Sequence, residues 1–508
     1  MSTKGRVSLV GAGPGDPGLI TVKALECIKR ADVIVYDRLV NITLLDQARP
    51  DCDLVFVGKG PGRHGLRQQE INSLLVDRAK EGKYVVRLKG GDPFLFGRGG
   101  EEAEALVREG IPFDVVPGVS SVTAVPAYAG IPVTHRRLSS SLAVITGHED
   151  PAKGESSIDW KRLARATDTL VVLMGMGNLA TMVQQLLENG REPDTPIALI
   201  RWGTTAQQET VEGTLESIIG LVEERGFKPP AVAVMGDVVG LRKELNWYED
   251  RPLFGKRVLV TRSRKQASAL STLLTREGAD VIELPALEVH QTEDNIAALD
   301  RAIDGLREYQ WAVFTSVNGV DSFFERLEAR ELSAGSLAGL KLVAIGLATA
   351  QALEVKGLNV DFVPQEYLAE AMVDEFRKRD IQGERFLLPR AEEARPMLVE
   401  GLRELGALVD EAPAYRAKPP SRPAARAMER LKSGQVDIAT FASSSTVRNL
   451  AQMLNGSVEA LKGACVACIG PITAATAREL GLEVDVVAQE HTIPGLVEAI
   501  VQHVRSRT

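Results

Sequence analysis

The chain has 508 residues, a formal net charge of −8 and ordinary shares of hydrophobic and charged residues; at about 150 residues per domain, this length predicts three or four domains. The acidic balance argues against a nucleic-acid-binding protein. No apolar stretch reaches the ~18 residues that cross a bilayer, and a β run begins by Val7, so we expect no membrane span, no signal peptide and a cytoplasmic location. The four cysteines predict reduced thiols without a disulfide framework.

The first informative element is a β run that ends in a glycine-rich turn, Gly11-Ala-Gly-Pro-Gly-Asp-Pro-Gly18, which we call the first glycine turn. Glycines let backbone N–H groups approach a ligand that a Cβ would obstruct. The spacing differs from the dinucleotide pattern G-x-G-x-x-G, because Asp16 stands where the third glycine belongs. That carboxylate would repel a pyrophosphate, whereas an adenosyl ligand with a sulfonium and no phosphate would be tolerated.

Up to about Leu245, short apolar runs alternate with helical patterns, which predicts an α/β fold. Strands are expected at Val7–Val10, Val33–Tyr36, Leu54–Val57, Tyr84–Leu88, Ser141–Thr146, Thr169–Met174, Ile197–Arg201 and Ala231–Met235. Residues 246–254, with Trp247, Tyr248 and Pro252, are interpreted as a linker between two halves of the chain.

The second half, 255–508, repeats itself. Gly255-Lys-Arg-Val-Leu-Val-Thr-Arg262 matches Gly383-Glu-Arg-Phe-Leu-Leu-Pro-Arg390 at an offset of 128 residues. We therefore predict two α/β lobes from repeats at about 255–382 and 383–508, with doubly wound parallel sheets and with a crossover of the chain between the lobes left open. A ligand of such a bilobed half would lie in the cleft, near the carboxyl ends of the strands.

A second glycine turn, Gly90-Gly-Asp-Pro-Phe-Leu-Phe-Gly-Arg-Gly-Gly100, follows a predicted strand and opens a helix. Together with Val116-Pro-Gly-Val-Ser-Ser121, Gly130-Ile-Pro-Val-Thr-His-Arg136 and Thr146-Gly-His148, it resembles the tetrapyrrole methylase family, and more narrowly uroporphyrinogen-III C-methyltransferase, over residues 5–245. The resemblance implies two α/β subdomains, about 5–137 and 138–245, with S-adenosylmethionine between them. It also implies a homodimer formed through this half.

The same resemblance assigns site residues. Those against S-adenosylmethionine are Pro14, Gly90, Gly91, Asp92, Leu95, Ser120, Ser121, Met174 and Gly203; the family more often has Thr-Ala at the serine pair. Asp37 and Lys59, each at the end of a predicted strand, are implied to accept and donate a proton during methyl transfer, with a salt bridge or solvated charge as the alternative. The tetrapyrrole carboxylates are implied to meet Arg38, Arg98 and Arg136, unless these arginines lie on solvated loops. Glu101 is expected to hold either the pyrrole N–H groups or an arginine.

The duplicated half resembles uroporphyrinogen-III synthase through shorter pieces, among them Val260-Thr-Arg262, Phe314-Thr-Ser-Val-Asn-Gly319 and Leu388-Pro-Arg390. That enzyme closes linear hydroxymethylbilane into a macrocycle while inverting ring D. The resemblance implies that Tyr415 assists departure of the hydroxyl, with packing of a linker aromatic as the alternative. It also implies that Thr349 and Thr473, at equivalent places in the two repeats, bind substrate carboxylates.

Two further motifs are not interpreted as functional sites, and the first of them is assigned to packing. Cys465-Val-Ala-Cys468 lies in a β run, where residues i and i+3 point to opposite faces. His135 and His148 have no ligands at metal spacing beside them, so we predict no metal site.

The sequence thus predicts a fused enzyme with small-molecule tetrapyrrole partners that makes uroporphyrinogen III and methylates it twice to precorrin-2, for sirohaem or cobalamin. Two alternatives stay open. One is the same fold acting on a later corrin intermediate, and the other is a bilobed half that binds a ligand without catalysis.

Overall fold

The computed structural model describes residues 5–58, 66–148, 157–262, 264–364, 369–420 and 424–507. Contacts divide the chain into two compact units, Met1–Gly255 and Lys256–Thr508. Among the described helices, none is both long enough and apolar enough to cross a membrane.

The first unit begins with a sheet of five parallel strands in the order β3-β2-β4-β1-β5. Its strands are β1 (Arg6–Gly11), β2 (Val33–Tyr36), β3 (Asp53–Phe56), β4 (Tyr84–Lys89) and β5 (Phe113–Val116), and its helices are α1 (Val22–Arg30), α2 (Gln68–Lys80) and α3 (Gly99–Arg108). Alternating residues of β1 pack on opposite faces: Val7 and Leu9 lie with α2 and α3, and Val10 lies with α1. The sheet is therefore covered on both sides, as its continuous apolar strands require.

The second sheet of this unit has the order β6-β7-β10-β8-β9. Its strands are β6 (Leu142–Thr146), β7 (Thr169–Leu173), β8 (Pro196–Arg201), β9 (Glu209–Thr214) and β10 (Ala231–Met235), and its helices are α4 (Ser121–Tyr128), α5 (Trp160–Ala166), α6 (Leu179–Glu188), α7 (Ile218–Arg225) and α8 (Arg242–Leu245). Only β6 and β7 pair in parallel, and the other pairs are antiparallel.

All eight strands predicted for the first half are present to within one residue at each end. β5 and β9 were not predicted, because β5 is a four-residue edge strand and β9, with the sequence Glu-Thr-Val-Glu-Gly-Thr, carries little apolar signal. The predicted subdomain boundary near 137 was also wrong. Val122 and Val125 of α4 belong to the core of the second sheet, so that subdomain begins close to Ser120.

The predicted linker, 246–254, is in fact built into the first unit. Leu253 is fully buried and Tyr248 nearly so. The ring of Trp247 packs against Tyr128 of α4, and its Nε1–H donates to the Ala127 carbonyl over 2.9 Å. The aromatic side chains of the segment are the reason. In a flexible connector they would be exposed to water, whereas packing on the first unit buries their large apolar surface.

The second unit contains two five-stranded sheets, with the orders β12-β11-β18-β19-β20 and β13-β17-β16-β14-β15. The strands are β11 (Arg257–Val260), β12 (Asp280–Glu283), β13 (Glu288–His290), β14 (Trp311–Phe314), β15 (Lys341–Ala344), β16 (Arg385–Ala391), β17 (Leu408–Lys418), β18 (Ile438–Phe441), β19 (Cys465–Cys468) and β20 (Val486–Val487). Every pair is parallel except β13 with β17.

In the described part of the second unit, the α-helices that accompany these strands are α9 (Arg264–Arg276), α10 (Glu293–Asp304), α11 (Val317–Ala329), α12 (Leu347–Val355), α13 (Ala369–Arg377), α14 (Met397–Glu404), α15 (Ala425–Lys432), α16 (Ser444–Met453), α17 (Pro471–Glu479) and α18 (Ile493–Arg505). One sheet is packed by α15, α16 and α17, whereas the other has α10, α11 and α12 on one face and α13 and α14 on the opposite face.

The lobes do not coincide with the repeats 255–382 and 383–508. Val258 of β11 pairs with Ile438 of β18, so the first lobe takes strands from both repeats. Trp311 of β14 pairs with Phe386 of β16, and the second lobe therefore does the same. The chain leaves the first lobe after β12 and returns to it at β18, which is the crossover that the repeat pattern left open. Strand pairing is long-range, and a repeat alignment cannot report it.

The Cys465–Cys468 motif occupies β19, and the four cysteines are free thiols. Burial raises the pKa of the Cys465 thiol to about 11 and that of Cys468 to about 12. Neither sulfur is therefore a thiolate at neutral pH, in agreement with a packing role.

Candidate functional site

In the first unit the two glycine turns meet backbone to backbone. The Gly13 N–H donates to the Gly91 carbonyl over 3.3 Å, and the Gly91 N–H donates to the Gly13 carbonyl over 2.7 Å. A Cβ on Gly11 would lie 2.5 Å from the Cα of Gly118, and a Cβ on Gly118 would lie 2.3 Å from the Gly91 oxygen. Three chain segments thus converge at the carboxyl ends of β1, β4 and β5, and only glycine permits this approach.

Asp92 is tied to the backbone of these turns. Its Oδ1 accepts hydrogen bonds from the N–H groups of Phe94 and Leu95, over 2.8 and 3.0 Å, and its Oδ2 accepts from the Gly118 N–H over 3.0 Å. The carboxylate therefore fixes the second glycine turn and joins it to the segment after β5. The contact with S-adenosylmethionine expected for Asp92 stays a prediction, beside this organising role.

Asp16 links the first glycine turn to the second subdomain. Its Oδ2 accepts a hydrogen bond of 2.7 Å from the Tyr128 hydroxyl, and its backbone N–H donates to Thr204 Oγ1 over 3.0 Å. Burial, followed by the Asp16 carboxylate, raises the pKa of Tyr128, so this side chain remains a donor at neutral pH. The Asp16 carboxylate, from which we predicted that the turn does not bind a phosphate, thus accepts a hydrogen bond between the two subdomains.

The other residues predicted to meet the cofactor come from both subdomains. Pro14 precedes Gly15, where a Cβ would lie 3.1 Å from the Gly203 carbonyl. A Cβ on Gly91 would lie 3.8 Å from the Ser121 N–H nitrogen, at the start of α4, and Ser120 caps that helix by accepting from the Val122 N–H. These contacts bring Pro14, Gly91, Asp92, Ser121 and Gly203 into one neighbourhood.

Three further predicted cofactor residues lie around that neighbourhood. Gly90 abuts Leu39, from the loop after β2. Leu95 is exposed on the second glycine turn. Met174 directly follows β7, which ends one residue earlier than predicted, and it adopts a left-handed φ of 55° with half of its side chain exposed. Residues other than glycine rarely take that conformation.

Asp37 follows β2, with its side chain 28% exposed. Its Oδ2 accepts a hydrogen bond of 3.4 Å from Arg87 Nη2, and its Oδ1 accepts from the Leu39 N–H over 3.3 Å. The salt-bridge alternative is therefore realised for Asp37, but with part of the carboxylate still open to solvent. Lys59 lies outside the described residues.

Behind Asp37 lies a cluster of buried charges that the sequence analysis missed. Glu102 Oε1 accepts from Arg87 Nε over 3.1 Å and from Lys89 Nζ over 2.9 Å. Burial lowers the pKa of Lys89, and the adjacent Arg87 cation adds to that effect. The sequence signal was two cations at alternate positions of an otherwise apolar strand, which places both on one face of β4.

The predicted substrate arginines are exposed. Arg38 follows Asp37, and Arg136 lies in the turn closed by the 2.9 Å hydrogen bond from the His135 N–H to the Ser139 carbonyl. Arg98 forms a bidentate ion pair with Glu101, at 2.9 and 2.6 Å, just where α3 begins. Of the two partners proposed for Glu101, the structure therefore supplies an arginine.

In the second unit, Tyr415 lies on β17 within the core and is 6% exposed. Its hydroxyl is 3.0 Å from Ser316 Oγ, which caps α11 by accepting from the Gly319 N–H. Burial raises the pKa of Tyr415, against the opposing effect of the Ser316 hydrogen bond. Ser316 was not singled out from the sequence, although it stands in the Phe314–Gly319 motif.

Thr349 and Thr473 occupy equivalent positions, in the first turns of α12 and α17. Both are buried, and each helix follows a strand of a different lobe with a glycine, Gly346 or Gly470, as its N-cap. Unpaired N–H groups at a helix start attract carboxylates, so both lobes carry the same anion-compatible element.

Within the part of the chain that the structure describes, no group of three or more His, Cys, Asp and Glu side chains is arranged to hold a metal ion.

Two family models match the chain, one in each unit. The model of tetrapyrrole (corrin/porphyrin) methylases matches residues 6–219, and that of uroporphyrinogen-III synthase HemD matches residues 268–498. Over 499 residues the chain is 37% identical to the porphyrin biosynthesis protein HemD of Ruminiclostridium josui, a match that covers 98% of each chain.

Two further similarities concern the first unit. The S-adenosyl-L-methionine-dependent uroporphyrinogen III methyltransferase of Methanosarcina barkeri is 55% identical over 237 residues, which cover 47% of this chain and 93% of that protein. The crystal structure of uroporphyrin-III C-methyl transferase from Thermus thermophilus, complexed with S-adenyl homocysteine, is 42% identical. The match covers 47% of this chain and 100% of the Thermus thermophilus chain, with a TM-score of 0.41.

Proposed function

The chain belongs to the tetrapyrrole methylase family through its first unit and to the uroporphyrinogen-III synthase family through its second, and on this basis we propose a bifunctional enzyme that performs two consecutive reactions. The second unit cyclises hydroxymethylbilane to uroporphyrinogen III, with inversion of ring D. The first unit methylates that product twice to precorrin-2. The observation that carries the proposal is the fusion itself, because the family in one unit makes the compound on which relatives of the other unit act.

S-adenosylmethionine is the proposed methyl donor, and the chemistry it supplies is an electrophilic methyl group on a sulfonium. The residues present suit it. In the backbone cradle, Gly11 and Gly118 have no room for a Cβ and Gly91 adopts a left-handed φ of 68°. The Asp16 carboxylate disfavours a phosphate but not a cation. The proposed contacts are those of Pro14, Gly90, Gly91, Asp92, Leu95, Ser120, Ser121, Met174 and Gly203.

Asp37 is the proposed proton acceptor. Methyl transfer adds a methyl cation equivalent to the tetrapyrrole, which then has to release a proton. The Asp37 carboxylate is oriented by Arg87 and the Leu39 N–H while part of it stays exposed, as a base that meets a substrate requires. Lys59 is the proposed proton donor, and this assignment rests on the family resemblance.

The tetrapyrrole carboxylates are proposed to meet Arg38, Arg98 and Arg136. The Arg98 guanidinium is held by Glu101, so it reaches a substrate with little loss of side-chain freedom. Beside it, Phe94, Leu95 and Phe96 are exposed on the second glycine turn and offer an apolar surface to the macrocycle.

In the second unit, Tyr415 is proposed to donate its hydroxyl proton in a hydrogen bond to the departing hydroxyl of hydroxymethylbilane. Burial keeps the phenol protonated, and Ser316 orients it. Thr349 and Thr473, with the helix starts around them, are proposed to bind carboxylates of the substrate from the two lobes.

The experiment supplies hydroxymethylbilane to the whole protein with and without S-adenosylmethionine, and identifies the tetrapyrrole formed. We expect uroporphyrinogen III without the methyl donor, and with it a product that carries two added methyl groups and is heavier by two CH2 units, since each methylation releases a proton. A second arm starts from uroporphyrinogen III. Absence of methylation in that arm contradicts the methylase assignment and favours a later corrin substrate. Formation of only the type I isomer from hydroxymethylbilane contradicts the synthase assignment and favours a second unit that merely binds a ligand.

A further inference from the structure

The buried cluster behind Asp37 consists of Arg87 and Lys89 on β4 and Glu102 on α3. The side chains of Arg87, Lys89 and Glu102 are 4%, 5% and 0% exposed. Glu102 Oε1 accepts three hydrogen bonds, the third from Gln68 Nε2 over 3.2 Å, while its Oε2 has no hydrogen-bond partner among the described residues. Stability alone does not explain such a cluster, since apolar residues that replace a buried ion pair often give an equally stable protein.

Arg87 is the residue that joins this cluster to the candidate site. Its Nε donates to Glu102, its Nη1 donates to the Val35 and Leu88 carbonyls over 3.3 and 3.2 Å, and its Nη2 reaches Asp37. A guanidinium group is planar, and all three nitrogen atoms of this one donate hydrogen bonds. The direction in which Arg87 presents a donor to Asp37 is therefore fixed by Glu102 and by the backbone of two strands.

We infer that Glu102 and Arg87 are positioning residues that set the orientation and the charge of Asp37 during methyl transfer. This inference rests on the proposed role of Asp37 as the proton acceptor. Lys89 completes the arrangement, because its side chain holds Glu102 while its carbonyl accepts from the Ala12 N–H of the first glycine turn over 2.7 Å. The same residues thus connect the base to the segment proposed to hold the methyl donor.

The charges around Asp37 determine what each substitution does. Arg87 and Lys89 on β4 interact with Asp37, Glu102 lies behind them on α3, and the exposed Arg38 is the next residue in the chain. Two cations and two carboxylates balance in this group. Removing the Glu102 charge leaves an uncompensated buried cation beside Asp37, which favours the carboxylate and weakens it as a base. Removing the Arg87 charge has the opposite effect.

The test compares Glu102→Gln with Arg87→Met in the full chain, with uroporphyrinogen III and S-adenosylmethionine as substrates, over a range of pH. We expect kcat to fall by about tenfold or more in each variant, while the KM for S-adenosylmethionine changes by less than about threefold. The acid limb of the rate profile should move in opposite directions in the two variants, to lower pH in Glu102→Gln and to higher pH in Arg87→Met.

Gln68→Met is the matched control, because it removes a hydrogen bond to the same Glu102 oxygen without removing a charge. Its acid limb should coincide with that of the wild type. Arg87→Lys keeps the charge but cannot bridge both carboxylates in the same way, so its acid limb should stay near the wild-type position while kcat falls; it is also the reserve variant if Arg87→Met does not fold.

The inference is overturned if the acid limbs of Glu102→Gln and Arg87→Met both stay in place, or if both move in the same direction. A wild-type protein that does not methylate uroporphyrinogen III at all is a different outcome and contradicts the proposed function. Calorimetric titration of S-adenosylhomocysteine into each variant shows whether the cofactor site is retained independently of turnover.

Discussion

The hydroxyl of Tyr128 donates to Asp16 Oδ2 over 2.7 Å, and this contact joins the first glycine turn to a helix of the other subdomain. Asp16 also accepts from the Gly18 N–H over 2.8 Å, so the carboxylate that shapes the turn also fastens it across the unit. The proposed methyl-donor site therefore depends on how its two subdomains are held together, as well as on the glycines that line it.

Tyr128→Phe should lower the free energy of unfolding of the first unit by about 1 to 2 kcal/mol, because Oδ2 of the half-buried Asp16 carboxylate loses the Tyr128 donor and only Oδ1 keeps its bond, to the Gly18 N–H. Chemical denaturation measures this change. Tyr248→Phe is the matched control, since the Tyr248 hydroxyl makes a longer contact, 3.4 Å to the Thr204 carbonyl, and should cost less. Equal losses in the two variants would contradict the special role of the Asp16 contact.

Asp92→Ala should weaken S-adenosylhomocysteine binding by about 1 to 3 kcal/mol, because three backbone N–H groups lose their acceptor and the second glycine turn loosens. Asp92→Asn keeps one oxygen acceptor and should lose less. Calorimetric titration gives both affinities. Unchanged binding in Asp92→Ala would remove this residue from the organisation of the cofactor site.

Asp37→Asn should reduce methylation by about 10²- to 10⁴-fold with nearly unchanged cofactor affinity, since the amide keeps the size of the side chain but cannot take up the proton. Lys59→Ala is expected to act similarly. Turnover and cofactor titration on the same preparations separate the two effects. Normal turnover in both variants would leave the Arg87–Asp37 contact as a structural salt bridge.

A break after Gly255 should give two fragments, 1–255 and 256–508, that carry the methylase and synthase activities separately, because each unit has its own cores. A break after Asp250 should be less favourable. It removes Leu253, which is fully buried, from the first unit and so costs about 1.5 to 3 kcal/mol. Thermal unfolding of fragments 1–255 and 1–250 gives their midpoint temperatures. Equal midpoints would show that residues 251–255 do not stabilise the first unit.

Tyr415→Phe should slow formation of uroporphyrinogen III and raise the share of the type I isomer, because hydroxymethylbilane also cyclises spontaneously without inversion. Ser316→Ala keeps the Tyr415 hydroxyl but removes one of its hydrogen-bond partners, together with the cap of α11, and should have a smaller effect on the isomer ratio. Burial raises the pKa of Tyr415 above the ordinary tyrosine value of about 10. The phenol is therefore protonated at any pH below that value, and titration of Tyr415 should not lower the synthase rate there. Chromatography of the oxidised isomers gives the ratio, and a wild-type ratio in Tyr415→Phe leaves the residue as core packing.

Several features could be predicted from local sequence. The eight predicted strands of the first half are apolar runs bounded by turn residues, and side-chain alternation along a strand is a local property. The glycine turns were recognisable because glycine marks close approaches of backbone, and a Cβ on Gly11 would indeed lie only 2.6 Å from the Gly91 carbonyl oxygen. The family resemblance in each half is likewise carried by short ordered motifs, and both family models match.

The rest depends on which distant segments meet, and local patterns do not contain that information. Glu102 and Arg87 are 15 residues apart on a helix and a strand, and only their packing shows that the glutamate supports Asp37 indirectly. Repeats at 255–382 and 383–508 predicted two lobes, but the pairing of β11 with β18 makes each lobe from both repeats. The sequence therefore determined the elements and their chemistry, whereas the tertiary structure decided their partners, because pairing of strands and burial of charges are settled by long-range contacts.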